Sequence, residues 1–123
     1  NKLGWKSIKF SFKKEELTAE ITDVMGKIST IAAGHENWTT SSLGNYPPYS
    51  ITAIGRYKGL TGPFHAASSY GWNNKGSDLT MQIHYVDWIS ALRINFNFQQ
   101  VGKVTMTVKA NYEGKPFTIT GTF

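Results

Sequence analysis

The 123-residue chain contains no cysteine. That excludes disulfides, thiolate catalysis and cysteine-built zinc sites together. It fits either the cytoplasm or an exported protein that needs no bridges. No apolar run approaches the length of a membrane span, so none is expected. Arginine is scarce: Arg56 and Arg93 are the only two. The opening NKLGW shows no signal-peptide pattern and runs almost at once into a strand. The expectation from this start is a piece of a longer polypeptide, periplasmic or secreted, with the cytoplasm as the other setting.

Charge of one sign is not concentrated anywhere. The net charge is +5, yet the densest basic run, Lys13-Lys14, is followed at once by Glu15-Glu16. A nucleic-acid groove needs a basic stripe interleaved with aromatics, so these cations read as solvated turn charge and no nucleic-acid partner is expected. Aromatic residues are plentiful at 14%, with 12 glycines beside them. This composition favours pleated faces joined by turns.

Period-two alternation recurs along most of the chain. In WKSIKFSF, Ile8, Phe10 and Phe12 share a face. In LTAEIT, Leu17, Ala19 and Ile21 do; residues 15–25 compete as a helix, but their Thr and Ile favour a strand. KISTIAAG reads as a third strand. HENWTTSSLGNYPPYS, residues 35–50, reads as a long loop holding Trp38, Tyr46 and Tyr49, because Pro47-Pro48 breaks ladder bonding. ITAIGRY and FHAASSYGW resume as strands. In LTMQIHYVDWISALRINFNF, Leu79, Met81, Ile83 and Tyr85 oppose Thr80, Gln82 and His84. The phase resets at VDWIS, after which Leu92, Ile94, Phe96 and Phe98 align. VTMTVKA and FTITGTF close the series.

Such a chain of short strands on tight turns predicts a single all-β domain over residues 1–123. The architecture expected is an antiparallel, closed or nearly closed barrel of about eight strands, since closure hides sheet edges. A flattened two-sheet sandwich is the nearest alternative.

Candidate chemistry is thin. His35, His65 and His84 form no close HxH or HxxxH pair, so neither a metal nor another cofactor is expected. A His84–Asp87 pair with a serine would make a hydrolytic triad, but no G-x-S-x-G elbow is present. Asp87 reads better as a turn former bonding nearby amides. Arg56 and Arg93 lie on strands, where they hold an anionic ligand if they point inward and otherwise pair or stay exposed. Trp38, Tyr46, Tyr49, Trp72 and Trp88 fall at loops or strand ends, where aromatics either line a barrel mouth or plug its ends. Together with Arg56, His84 and Arg93 they are the candidate binding residues. Asn37-Trp38-Thr39 fits the glycosylation sequon.

Five stretches also carry a family resemblance: NKLGWKSIKFSF, NYPPYSITAIGRYKG, SSYGWNNKGSDLTMQIHYVDW, INFNFQQVGKVTMTVKAN and ITGTF. In this order they resemble the C-terminal, lipocalin-like β-barrel domain of β-lactamase-related, penicillin-binding-protein-like serine hydrolases of Bacteroidetes-type bacteria. The resemblance implies a non-catalytic accessory barrel with its catalytic serine hydrolase domain as partner in cis. The family's nucleophile sits in an S-x-x-K motif of that other domain, and no catalytic residue is carried over. This chain has Trp88-Ile89 where the family often has Thr-Pro. The alternative reading is an autonomous barrel binding a small apolar or amphipathic ligand, with some of Arg56, Trp72, His84 and Arg93 lining its cavity. Large inward side chains such as Phe10, Phe12, Met81, Phe96, Phe98 and Met106 argue instead for a filled interior.

Overall fold

A computed structural model describes residues 1–44, 63–87 and 90–123. Tyr46, Tyr49, Arg56, Trp88 and the strand expected at ITAIGRY lie outside the described residues. The remainder forms nine strands: β1 (Trp5–Lys13), β2 (Glu16–Asp23), β3 (Ile28–His35), β4 (Thr39–Gly44), β5 (Phe64–Asn73), β6 (Asp78–Tyr85), β7 (Ala91–Asn97), β8 (Lys103–Ala110) and β9 (Phe117–Thr122). All belong to one sheet, ordered β1-β2-β3-β5-β6-β7-β8-β9, with β4 paired to β5. The all-β class expected from alternation is present, and residues 16–23 are strand rather than helix.

Three expectations need correction. The sheet is mixed, because β3 runs parallel to β5 through Gly34–Ser69 and His35–Tyr70. It is also open: a strongly curled half-barrel whose end strands β1 and β9 do not pair. Finally, residues 39–44 of the expected loop are a strand, antiparallel to β5 from Thr39–Ser68 to Gly44–Phe64. The first and the last of these are connected. β3 reverses into β4 through Glu36–Trp38, and β4 then descends along β5. β5 reaches beyond the start of β4, so its next residues meet the end of β3, which necessarily runs in the same direction.

That reversal depends on Gly34. A Cβ there would lie 2.4 Å from the Asn37 carbonyl oxygen and 2.8 Å from Thr39 Oγ1. Both distances are too short for any side chain. Glu36 takes a left-handed φ of 53° in the same turn, and its amide donates to the Tyr70 carbonyl at 2.9 Å. The turn is thereby fastened to β5.

The concave face holds the core. Leu17, Ile31, Ala66, Leu79, Ile83, Ile94 and Val108 are all buried, each at the alternate position that the period-two pattern assigns to one face. Burying a Leu, Ile or Phe side chain contributes about 1.5–3 kcal/mol, so this stripe from β2 to β8 carries the fold. Burial fades toward both ends of the sheet. On β1, Ile8 and Phe10 are only partly buried, as are Phe117 and Ile119 on β9. Edge strands of an open curl lack a neighbour on one side, and their inward side chains keep a path to water.

Side chains, rather than backbone pairs, span the gap. Phe10 of β1 meets Phe96 of β7 edge to face, with ring centroids 5.0 Å apart. At one end Lys2 ties the segment before β1 to the β9 side. Its Nζ lies 3.0 Å from Glu113 Oε1 and 4.6 Å from the Phe117 ring centre. At the convex surface, Lys9 stands opposite Glu20 and Lys13 opposite Glu16.

Candidate functional site

The break between β1 and β9 opens a cleft of about 380 Å³. Its walls are Ile8 and Phe10 from β1, Phe98 after β7, Val104 and Met106 from β8, and Ile119 from β9. These residues face inward by the same alternation that builds the core, but the missing pairing leaves them in reach of solvent. Gly121 also lines the cleft, and a Cβ there would stand 3.3 Å from Val104 Cγ1. Lys6 is the only charged side chain among the described lining residues.

An aromatic band crosses one end of the interior. Phe12 lies 5.8 Å from Trp72, Trp72 lies 6.2 Å from Phe98, and Phe98 lies 5.7 Å from Phe123 between ring centres. Phe12, Trp72 and Phe123 are 49%, 42% and 72% exposed. Of the large residues expected to fill the barrel, Met81, Phe96 and Met106 are buried, Phe10, Phe96, Phe98 and Met106 line the cleft, and Phe12 reaches the surface. Trp72 thus belongs to an open rim rather than a plug.

None of the described candidate residues Trp38, Trp72, His84 and Arg93 lines the apolar cleft. The structure places three of them on the convex side. His84 and Arg93 point outward from β6 and β7, where the neighbouring Ile83 and Ile94 point in. Arg93 is exposed and stands opposite Lys109, with no acid as its cross-strand partner. Trp38, in the β3–β4 turn, meets His84 edge-on with ring centres 4.9 Å apart. Trp72 and Arg93 both border a shallow polar groove of about 270 Å³ on this side, with Glu36, Ser69, Thr80 and Gln82.

The histidine–aspartate pair forms with a different histidine. Asp87 accepts from the His65 amide at 2.6 Å and lies 2.7 Å from His65 Nδ1 through the same oxygen. The His65 side-chain hydrogen bond holds the Asp87 carboxyl below its ordinary value, helped by the backbone hydrogen bond and the imidazole charge. The amide that Asp87 bonds belongs to β5, not to its own turn. Ser42 is the register partner of His65 across β4–β5, but among the described residues no hydrogen bond links them. The pair therefore clamps the β6–β7 turn onto β5, and Val86 N adds a bond to the His65 carbonyl at 3.0 Å.

The spacing S-x-x-K occurs at Ser11 to Lys14, on β1 and its turn. A serine and lysine three apart share a face on a helix, whereas Ser11 lies on a strand and Lys14 in a turn with φ 54°. Among the described residues no three His, Asp or Glu side chains gather where they would hold a metal. Nor is any helix there long and apolar enough to cross a membrane, a statement that does not extend to strands.

The cleft residues Ile8, Val104 and Ile119 were not candidates in the sequence, because their alternation is the same as that of core residues. The signal that marks them is position: they lie on or beside the first and last strands, the ones an open sheet leaves unpaired. No protein-family model matches this chain, and no curated protein or solved structure matches it either.

Proposed function

We propose that this domain is a non-catalytic binding module whose cleft takes the apolar part of a small apolar or amphipathic molecule. The observation that supports this reading most directly is the break between β1 and β9, with apolar side chains lining a volume of about 380 Å³. Small-molecule sites run to about 300–1,000 Å³ and combine apolar walls with a few polar groups. Here the walls are Ile8, Phe98, Val104, Met106 and Ile119, and Lys6 is the one charged side chain among the described lining residues. The exposed aromatic rim at Phe12, Trp72 and Phe123 adds apolar surface at the approach.

Titration with cis-parinaric acid, a fluorescent fatty acid, tests this reading. Saturable enhancement of emission is expected with the wild-type protein. Gly121→Leu, which pushes a side chain into the cleft against Val104, is expected to remove it while the β-type circular dichroism persists. Unchanged emission with the wild-type chain overturns the proposal.

A second reading is favoured by the ordered resemblance described above: an accessory domain attached in cis to a β-lactamase-related serine hydrolase. The resembling stretches that are described fall on β1, β5–β6, β7–β8 and β9 in sequence order. An S-x-x-K domain encoded upstream in the same reading frame supports it, and a reading frame without one removes it. Turnover of nitrocefin by the purified domain would end the non-catalytic part of both readings.

A further inference from the structure

A second site lies on the opposite side of the sheet. From the convex groove beside Gly71 we infer a binding site for a neutral carbohydrate, independent of the apolar cleft. Its floor is built by register. Ser69 of β5, Gln82 of β6 and Arg93 of β7 form one row across the sheet, with Gly71 and Thr80 in the next. All five border the groove. Gly71 leaves the depression, since a Cβ there would meet nothing within 4 Å among the described residues.

The lining selects the ligand class. Glu36 and Arg93 bring opposite charges to the same groove, so neither an anion nor a cation finds a field of one sign. Between them stand an amide and hydroxyls that both donate and accept. Thr80 Oγ1 accepts from Asn95 Nδ2 at 3.1 Å, which leaves its own O–H to donate. Sugar hydroxyls, each donor and acceptor at once, match such a set.

An apolar platform stands beside it. His84 follows Gln82 by two residues on the same face, and Trp38 lies edge-on to it with 52% of its surface exposed. An exposed indole offers a flat surface to the C–H face of a pyranose ring. Glu36 and Trp38 come from one turn, and the left-handed backbone of Glu36 is a strained conformation of the kind concentrated at binding sites. The same turn thus supplies both a polar wall and the platform.

The test uses the full chain and NMR amide shifts, with maltohexaose, cellohexaose and N-acetylchitohexaose as neutral probes and a heparin hexasaccharide as the anionic one. At least one neutral probe is expected to shift the signals of Gly71, Gln82 and Arg93 in a saturable manner. Gly71→Ile, which fills the groove and suits a strand, is expected to weaken binding about tenfold or more, as does loss of one or two hydrogen bonds. Trp38→Ala is expected to weaken it as well, while the cleft variant Gly121→Leu leaves it unchanged. The inference is overturned if no neutral probe shifts these signals, if only the heparin fragment does, or if Gly71→Ile binds as wild type does.

Discussion

Asp87 reaches back across 22 residues to hold His65 at both its backbone amide and its ring, through one carboxylate oxygen. The contact fixes where β6 turns relative to β5. Because His65 holds the Asp87 carboxyl below its ordinary value, the sign of its pH dependence follows. The stabilisation is fully present above the unfolded carboxylate value of about 3.9 and is lost as pH falls through the folded one. Thermal melts of wild type and Asp87→Asn are expected to differ at about pH 5, and the difference is expected to shrink as the solution is acidified below the ordinary carboxylate range. A difference that persists undiminished in acid would show that the carboxylate charge is not what matters.

Phe96 is buried and Phe10 only partly so, although their rings touch. Phe96→Ala is expected to cost about 3–5 kcal/mol in urea unfolding, the usual loss for a buried ring. Phe10→Ala is expected to cost less, because solvent already reaches its position. The double variant should recover a coupling of about 0.5–1.5 kcal/mol for the edge-to-face pair. Equal losses at the two sites would mean that the gap between β1 and β9 is closed in solution.

Ser68 is fully buried on the concave face of β5, and its Oγ has no hydrogen-bond partner among the described residues. An unsatisfied buried hydroxyl opposes folding. Ser68→Ala is therefore expected to raise unfolding stability by about 1 kcal/mol. A drop in stability would reveal a hydrogen bond to this hydroxyl.

Gly34 approaches the Asn37 carbonyl too closely to carry a Cβ. Since the obstacle is backbone, relief requires the β3–β4 turn to move, and Gly34→Ala is expected to cost about 1–3 kcal/mol. Exchange protection of the Glu36 amide, bonded to Tyr70, should fall with it. Unaltered protection would mean that the turn yields without loosening from β5.

Much of the sheet was legible as alternation. Leu79, Met81, Ile83 and Tyr85 are buried, and Thr80, Gln82 and His84 lie on the other face, as period two requires. β4 was not legible, because Thr39, Thr40, Ser41 and Ser42 are polar at every position and only Leu43 enters the core. A strand without an apolar face is recognised by the backbone it pairs with, which no local pattern records. The parallel Gly34–Ser69 contact and the His65–Asp87 clamp are products of topology in the same sense. Openness was hidden for another reason: Ile8 and Ile119 alternate like core residues whether or not their strands meet.

A closed barrel resists changes of girth as a hoop does, since widening it means stretching every hydrogen-bonded ladder at once. This sheet has no ladder between β1 and β9, so its diameter there is governed by ring contacts such as Phe10–Phe96 and the Lys2 clasp. Contacts of that kind are worth about 0.5–1.5 kcal/mol each. The two lips can therefore spread or draw together at small energetic cost, like a spring clip, without any strand unzipping.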